Sequence, residues 1–377
     1  IKDNSYTLLD NDGNEVTSTP AYAADGTTEI GTYSIDSATG QVTFTPTDKS
    51  YTGVVTPAKV QAESSNGIKV DTTYTPEIVP VTPTATPAET EDIQGATQTG
   101  KPEFKGGTVT VDGVEKTVAI NEAVPATFDD GSTTKTVDGV GTYTVAADGT
   151  VTFVPEKSFT GKAPAVTVVR EDKNGTKASA TYTPTVTPVT PTATPAESTG
   201  PQGLVQTGTV TFTEGDEVAP INKDSITLLD ENGQPAASVE AKSPAGDVIG
   251  TLTVDKETGV VTFTPTDKSY SGDVVPVKVQ GKDTNGTVAE TTYTPKITPV
   301  VPTANPATST DIQGQTQTGT PSFTPGNPAI PMDDDVPATF EDGSTTKVIP
   351  GEGTYTVSPD GTVTFVPEKA FTGTGTG

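Results

Sequence analysis

Short stretches of this chain alternate apolar and polar residues, and pairs containing glycine separate the stretches. Residues 142–145, 151–154 and 251–254 alternate threonine with valine, tyrosine, leucine or phenylalanine. A period of two is typical of a strand with one buried and one exposed face. The pair Asp148-Gly149 separates the first two stretches, which are therefore predicted to form a hairpin. No stretch has the period of an α-helix.

A second type of hairpin is predicted near the end of each repeating segment. Residues 277–280 and 291–294 alternate in the same way around the turn pair Asn285-Gly286, which has counterparts at Asn66-Gly67 and Asn174-Gly175. An earlier strand at residues 227–229 is followed by the turn pair Asn232-Gly233. About six to eight short strands with frequent turns indicate a β-sandwich.

The same short words return along the chain at the spacing of a whole domain. The word Val-Thr-Phe-(Thr/Val)-Pro starts at Val42, Val151, Val261 and Val363, which gives spacings of 109, 110 and 102 residues. Two further words keep almost the same period, Tyr-Thr-Pro at Tyr74, Tyr182 and Tyr293, and Gln-Thr-Gly at Gln98, Gln206 and Gln317. This period is too long for a solenoid and predicts a tandem array of domains.

Two types of repeat alternate in this array. Residues 42–51 recur unchanged as residues 261–270, and residues 124–135 recur with one change as residues 336–347. The predicted order is therefore A, B, A, B. The predicted bounds are residues 1–92 for a partial A-type repeat that lacks its first strand, 93–200 for a complete B-type repeat, 201–311 for a complete A-type repeat and 312–377 for a partial B-type repeat that lacks its last hairpin.

Segments rich in threonine and proline end the first three repeats. Residues 81–89 recur letter for letter as residues 189–197, and residues 300–307 are a third version. Regular proline removes backbone donors and favours an extended, polyproline-like linker. The alternative is that part of each segment, such as residues 186–189, runs along the sheet edge of the next repeat. The expected fold is all-β, with Ig-like antiparallel β-sandwich repeats of about 110 residues in an elongated array.

Composition excludes several functions. With 22 Lys and Arg against 49 Asp and Glu, the net charge is −27, which disfavours binding to nucleic acid and to anionic membranes. No apolar run is long enough for a membrane span. The chain has no His and no Cys, so it lacks the usual bases and thiolates, and we expect neither an enzyme nor a cofactor. The partners expected from the repeats themselves are the neighbouring repeats of the same chain.

Four groups of residues are candidate sites. The acidic clusters Asp129-Asp130 and Asp333-Asp334-Asp335 are interpreted as solvated loop charges. Residues 10–15 and 230–235 place oxygen ligands closely enough for calcium, but Asp, Asn and Gly also dominate hairpin turns, which is the favoured interpretation. No catalytic, cofactor or metal residue is assigned.

The remaining candidates are modifications. The sequences starting at Asn174 and Asn285 match the N-glycosylation pattern but also match tight turns. Lys59 and Lys278 could form a Lys–Asn cross-link, although the alternation places both lysines on the face opposite the core, where the B-type repeat has Thr167. The recurring Phe and Tyr residues are expected to be core residues.

The ordered set of words resembles the CshA-type fibril repeat of large surface adhesins in streptococci and related Gram-positive bacteria. The resemblance covers the whole chain and rests on Gln-Thr-Gly, Gly-Thr-Tyr-Thr-Val, Asp-Gly-Thr-Val-Thr-Phe-Val-Pro, Phe-Thr-Gly and Asn-Gly-Thr followed by Tyr-Thr-Pro. It implies a cell-wall-anchored protein whose repeats form a long fibril that presents an adhesive head, and it carries no catalytic residues. It also implies host or microbial surface proteins as partners, bound by other parts of the parent protein.

Two functions follow from these expectations. The first is a structural stalk, in which each repeat is a spacer. The alternative is that the repeats are themselves weak adhesive modules that act multivalently.

Overall fold

The computed structural model describes all residues from 1 to 377 and contains strands but no helix. The structure therefore has no helix that could cross a membrane. The chain divides into two compact units, residues 1–189 and residues 190–377. Each compact unit contains two of the sequence repeats, and the expected all-β architecture of tandem β-sandwiches is confirmed.

The first repeat has seven strands in two antiparallel sheets. One sheet has the order β2-β1-β6-β7 and the other the order β3-β4-β5. The core between them includes Leu8, Ile30, Tyr33 and Val60. The strands are β1 Thr7–Leu9, β2 Glu15–Val16, β3 Ser18–Tyr22, β4 Glu29–Ile35, β5 Val42–Pro46, β6 Ala58–Glu63 and β7 Lys69–Tyr74.

The second repeat contains the strands β8 to β20. They are β8 Thr84–Thr86, β9 Ala88–Ile93, β10 Gln98–Gly100, β11 Glu103–Lys105, β12 Gly107–Val111, β13 Val114–Val118, β14 Thr127–Phe128, β15 Thr134–Val137, β16 Gly141–Val145, β17 Val151–Pro155, β18 Gly161–Lys162, β19 Val166–Glu171 and β20 Lys177–Thr187.

Two sheets enclose the core of the second repeat. The first has the order β10-β17-β16-β15, and the second has the order β14-β19-β20-β18 with β9 paired to β20. Tyr143 and Phe153 from the first sheet meet Val168 and Tyr182 from the second, and none of these four side chains is exposed. The two rings of the first sheet lie 4.7 Å apart between centroids. Side chains from both inner faces thus fill one core, as in a β-sandwich.

The second compact unit begins with the third repeat, which has the same two-sheet plan. Its sheets have the orders β23-β29-β28-β27 and β22-β32-β31-β25-β26. The strands are β21 Thr192–Thr194, β22 Ala196–Pro201, β23 Gln206–Thr209, β24 Thr211–Thr213, β25 Ile221–Leu229, β26 Pro235–Ala236, β27 Ser238–Lys242, β28 Val248–Val254, β29 Val260–Pro265, β30 Gly272–Asp273, β31 Val277–Asp283 and β32 Val288–Thr298.

The fourth repeat contributes one four-stranded sheet of order β34-β38-β37-β36 and the pair β33-β35. The strands are β33 Thr303–Asn305, β34 Gln317–Gly319, β35 Ser322–Thr324, β36 Thr346–Ile349, β37 Gly353–Val357 and β38 Val363–Pro367.

The predicted hairpins are present at the predicted turns. Strands β16 and β17 pair around Asp148-Gly149, with Tyr143 opposite Phe153. Strands β31 and β32 pair around Asn285-Gly286. The turn glycines at these positions have positive φ, +90° at Gly149 and +86° at Gly286, a conformation that glycine adopts without strain. The local turn chemistry therefore fixes the register of both hairpins.

The Thr/Pro segments join the sheets of the repeat that follows them. Strand β8 pairs with β11, and strand β9 runs parallel to β20 over six residue pairs, from Ala88 opposite Tyr182 to Ile93 opposite Thr187. Strand β22 pairs with β32 in the same way. The sequence left open whether these segments are extended linkers or run along the sheet edge of the next repeat. In the structure, residues 84–93 and 192–201 pair with strands of the next repeat and are therefore docked. Val186, in contrast, lies in the last strand of its own repeat.

Pro184 lies in the middle of β20, although proline has no backbone N–H to donate to a neighbouring strand. The Pro184 carbonyl accepts a hydrogen bond of 2.9 Å from the N–H of Ala163. The N–H and C=O groups of one strand residue point to the same side, so the absent donor of Pro184 faces away from β9. Proline therefore removes no hydrogen bond from the pairing between β9 and β20.

One aromatic expectation is wrong. Tyr182 and Tyr293 are fully buried, as expected for core residues, but Tyr74 is 37% exposed. Strand β7, which carries Tyr74, is the outer strand of its sheet. In the second and third repeats the docked segment pairs with the strand that carries the buried tyrosine.

Docking of the Thr/Pro segments is testable by amide hydrogen exchange of the full chain. Residues 88–93 and 196–201 form edge strands in which every second amide points to the paired strand, so we expect these amides to exchange far more slowly than amides outside the strands. Residues 306–311, which are in no strand, serve as the internal control and should exchange fast. Fast exchange at residues 88–93 would contradict the docked arrangement.

Candidate functional site: the clamp between the first and last long strands of a repeat

Two of the recurring sequence words come together in space. The Gln-Thr-Gly word forms β10, which packs beside β9, and the Tyr-Thr-Pro word lies in β20. A side chain at Gly100 would have its Cβ atom 2.2 Å from the ring of Tyr182, and one at Gly208 would lie 2.4 Å from the ring of Tyr293. Glycine is required here because the tyrosine ring occupies the space of a side chain.

A relay of hydrogen bonds connects these words to the docked segment. The hydroxyl of Thr90 in β9 donates to Oε1 of Gln98 at 2.6 Å. Because this bond uses the only hydroxyl hydrogen of Thr90, the Tyr182 hydroxyl at 2.7 Å must be the donor to Thr90. Gln98 completes the relay by donating from Nε2 to the carbonyl of Thr185 at 2.9 Å.

The third repeat reproduces the relay with serine in place of threonine. The hydroxyl of Ser198 donates to Oε1 of Gln206 at 2.8 Å and lies 2.7 Å from the hydroxyl of Tyr293. Gln206 in turn donates to the carbonyl of Lys296 at 3.1 Å. We call the parallel strand pair together with this relay the clamp: β9 with β20 in the second repeat, and β22 with β32 in the third.

A second glutamine closes one end of each clamp. Gln94 follows β9 directly, and its backbone N–H donates to the carbonyl of Thr187 at 2.7 Å. Its side chain accepts the N–H of Val189 at 3.2 Å and donates to the carbonyl of Lys157 at 2.8 Å. Gln202 makes the same contacts in the third repeat, where it accepts the N–H of Val300 at 3.0 Å. The chain is therefore held immediately beyond its last strand.

Burial sets the protonation of the core tyrosines. Removal from water disfavours the phenolate, so burial raises the pKa of Tyr182 and of Tyr293. Burial also raises the pKa of Tyr33 and of Tyr143 to about 12. All four hydroxyls are therefore donors at neutral pH, as the relay requires.

A buried aspartate caps the turn between the last two strands, which the sequence did not indicate. Asp172 accepts the backbone N–H groups of Asn174 and Thr176 on Oδ1, both at 2.9 Å. Asp283 caps the corresponding turn of the third repeat in the same way. Oδ2 of each carboxylate lacks a hydrogen-bond partner. The available signal was the shared pattern Asp-x-Asn-Gly-Thr at residues 172–176 and 283–287.

Residues 10–15, the calcium candidate, form the turn of the hairpin between β1 and β2. Oδ1 of Asp10 accepts backbone N–H groups of the turn, including that of Asn14 at 2.8 Å, and Oδ2 accepts the Asn14 side-chain amide. These bonds, with the Asn14 backbone as the main cause, hold the pKa of Asp10 below its usual value. Glu15 is paired with Lys69. No group of three or more acidic residues is arranged to hold a metal ion.

The acidic clusters lie in exposed turns. Asp129 accepts a hydrogen bond of 3.1 Å from the Lys135 ammonium. Asp130 accepts both the N–H and the hydroxyl of Ser132, and the side-chain bond is the main reason that its pKa is lowered. Asp333 similarly caps its own turn. These carboxylates stabilise turns, in keeping with their interpretation as loop charges.

The modification candidates occupy different environments. Lys59 and Lys278 are exposed, on the side of their strands opposite the core, and Thr167 is at the same position in β19. Asn174 and Asn285 both lie in the predicted turns, but Asn285 is only 7% exposed. A sugar on Asn285 would require this side chain to move out of the repeat.

The clamp residues Thr90 and Gln94 were missed because the Thr/Pro segments were interpreted as linkers. A signal was present in the repeats themselves. The pair Gln-Gly occurs at Gln94, Gln202 and Gln313, with the same spacings of 108 and 111 residues as the Gln-Thr-Gly word. A polar side chain that recurs with the period of the core words belongs to the folded repeat.

The fold and the clamp define a class of protein, a tandem array of antiparallel β-sandwich repeats. The particular family follows from the sequence: residues 1–78, 80–186, 188–297 and 299–377 each match the surface adhesin CshA repetitive domain. The chain belongs to this family, and the resemblance noted in its recurring words is confirmed. A search of curated proteins finds no match.

The solved structures that are similar to this chain include extracellular domains of protocadherins and N-cadherin and the Ig domains of Down Syndrome Cell Adhesion Molecule (DSCAM). The protocadherin γB4 extracellular domain is 14% identical over 93% of this chain, with a TM-score of 0.32, and this chain spans 54% of its length. Drosophila N-cadherin EC1–3 is 11% identical, covers 75% of this chain and 90% of its own, and has a TM-score of 0.21. The eight N-terminal Ig domains of DSCAM are 13% identical over 98% of this chain and 63% of theirs, with a TM-score of 0.22. At these TM-scores the similarities carry no argument.

Family membership gives the coarse role of the chain. Repeats of a surface adhesin belong outside the cell or at the cell surface, in an adhesin-related role. The family indicates a structural or adhesion domain.

The relay is testable with the substitution Thr90→Val, which keeps the shape of the side chain but removes the hydroxyl. The change leaves the Tyr182 hydroxyl and Gln98 Oε1 without their partner, and we expect it to destabilise the second repeat by about 1–3 kcal/mol. The matched control is Thr99→Val on the exposed side of β10, with an expected effect within about 0.5 kcal/mol. Urea unfolding of the full chain, assigned to repeats by hydrogen exchange, measures both. Equal effects of the two substitutions would contradict the relay.

The buried tyrosines predict that alkaline pH destabilises the repeats. A phenol with a pKa of about 12 in the folded state and about 10 in the unfolded chain binds more protons when folded between these values. Stability should therefore be level up to about pH 9 and fall as the pH rises from about 10 to 12. Urea midpoints at pH 8 and pH 11 check this expectation. Tyr143→Phe should reduce the loss, and an unchanged loss would contradict the assignment to this tyrosine.

Proposed function

We propose that these repeats form the stalk of a fibrillar adhesin that is anchored to the bacterial cell wall and projects an adhesive region away from it. The observation that carries the proposal is the docking of the Thr/Pro segments. Strands β8 and β9, and likewise β21 and β22, are built into the sheets of the following repeat. Consecutive repeats are thus connected by little chain that is not itself folded, which suits a spacer.

Charge supports the same function. The net charge of −27 gives neighbouring fibrils surfaces of the same sign, which repel each other at the ionic strength of dilute media. Low mutual attraction keeps a projecting fibril extended into solvent and free of lateral aggregation. The partners of a stalk are then the adjacent repeats of the same chain, and host or microbial ligands contact other parts of the parent protein.

The alternation of repeat types is part of the proposal. In this scheme the Thr/Pro segment of residues 84–93 belongs to the B-type repeat that follows it, and the segment of residues 192–201 belongs to the A-type repeat that follows it, because each segment supplies an edge strand of that repeat's larger sheet. In this scheme the A-type repeats at the two positions, and likewise the B-type repeats, serve as equivalent spacers.

The stalk is distinguished from a multivalent adhesive module by a bead assay. Beads carrying many copies of the full chain gain avidity, so even weak binding sites on the repeats would retain them on cells. We expect these beads to bind human epithelial cells and partner bacteria no better than beads coated with an unrelated protein of similar negative charge. Retention that micromolar soluble chain competes away would contradict the stalk and establish the repeats as adhesive.

A further inference from the structure

The positions of the first and last long strands determine how a repeat would respond to tension. In the second repeat the chain comes in through β9 and leaves through β20, and the two strands are parallel neighbours. A pull on the preceding chain draws β9 backward along its axis, whereas a pull on the following chain draws β20 forward. The two strands are therefore pulled in opposite directions along the line of their contact.

This geometry distributes the force over the whole strand pair. Six residue pairs join β9 to β20, and six join β22 to β32. When two paired strands slide past each other, all hydrogen bonds of the ladder are strained together. When they are peeled apart from one end, the bonds break one after another. Because the entering and leaving strands of each complete repeat are parallel neighbours, tension along the chain makes them slide past each other.

The relay resists the same sliding motion. Thr90 lies in β9, but its partner Gln98 lies in the opposite sheet and its other partner Tyr182 lies in β20. A slip of β9 by one residue would turn Thr90 away from both partners, because successive side chains point to opposite faces. It would also place a different side chain in the tight space between Gly100 and the Tyr182 ring.

Gln94, the glutamine that closes the clamp, holds the chain where it leaves the repeat after β20. Gln94 contacts Val189, beyond the end of β20, and the turn at Lys157 in the same repeat. Tension on the following chain is therefore transferred to the body of the repeat as well as to the strand pair. Gln202 holds Val300 in the same manner in the third repeat.

We propose that the clamp is a mechanical element that makes each complete repeat resist extension by shear. This inference rests on the proposed stalk function for its biological meaning, because a stalk that connects a cell to a bound surface is under tension. The mechanical property itself is a statement about the chain and can be measured without any ligand.

The direction of pulling provides the sharpest test. The chain contains no cysteine, so single-molecule handles can be attached at introduced cysteines without side reactions. Handles at Pro80→Cys and Thr190→Cys load the clamp in shear, whereas handles at Pro80→Cys and Lys177→Cys pull β9 and β20 from the same end and peel them apart. All three positions are exposed. We expect a clearly higher unfolding force for the first pair of handles, and equal forces would overturn the proposal.

The contribution of the relay to mechanical resistance is measured by pulling in the shear geometry on the variant Thr90→Val and on its control Thr99→Val. We expect Thr90→Val to unfold about tenfold faster at a fixed force, the factor that corresponds to about 1.4 kcal/mol, and Thr99→Val to be unchanged. A core substitution outside the clamp, Val168→Ala, tests whether any loss of stability would have the same effect. If it lowers the shear force as much as Thr90→Val at equal loss of stability, the relay has no mechanical role.

The two proposals can fail separately. Equal unfolding forces in the two pulling directions would contradict the mechanical role of the clamp. They would not affect the proposed stalk function, which the bead assay tests. Adhesion of chain-coated beads would remove the stalk as the function of the repeats, whatever force they resist.

Discussion

The parallel pairing of the docked Thr/Pro segment with the last strand is the interaction on which each complete repeat depends. It covers the edge of the larger sheet, buries the recurring tyrosine and brings the Gln-Thr-Gly word into contact with the Tyr-Thr-Pro word.

Polar groups inside the clamp are satisfied by each other. Tyr182, Thr90 and Gln98 form a directed chain of donors and acceptors that ends on a backbone carbonyl. Such a network specifies one register of the docked strand, because any other register leaves buried donors or acceptors without partners. A core that is thin and poor in aromatic residues thus gains a unique arrangement from hydrogen bonds. Thr90 and Ser198 are interchangeable here because the relay needs only a hydroxyl.

Strands, turns and repeats could be predicted from the sequence because each depends on local chemistry. The alternation at residues 142–154 and the glycine of the Asp148-Gly149 turn determine the hairpin without reference to the rest of the fold. The destination of the Thr/Pro segments could not be predicted in the same way, because β9 pairs with a strand about 94 residues later in the chain. Proline also argued against a strand, and only the tertiary position of Pro184 shows why it is tolerated in β20.

The most direct test of this account is cysteine trapping of the parallel register in a chain that has no other cysteine. Glu91 and Thr185 are directly opposite in the pairing of β9 with β20, on the face away from the core, whereas Glu91 and Thr183 are offset by two residues. The account predicts that mild oxidation cross-links the variant Glu91→Cys/Thr185→Cys rapidly and the offset variant Glu91→Cys/Thr183→Cys poorly. Equal cross-linking of both variants, or of neither, would show that the segment is not held in this register.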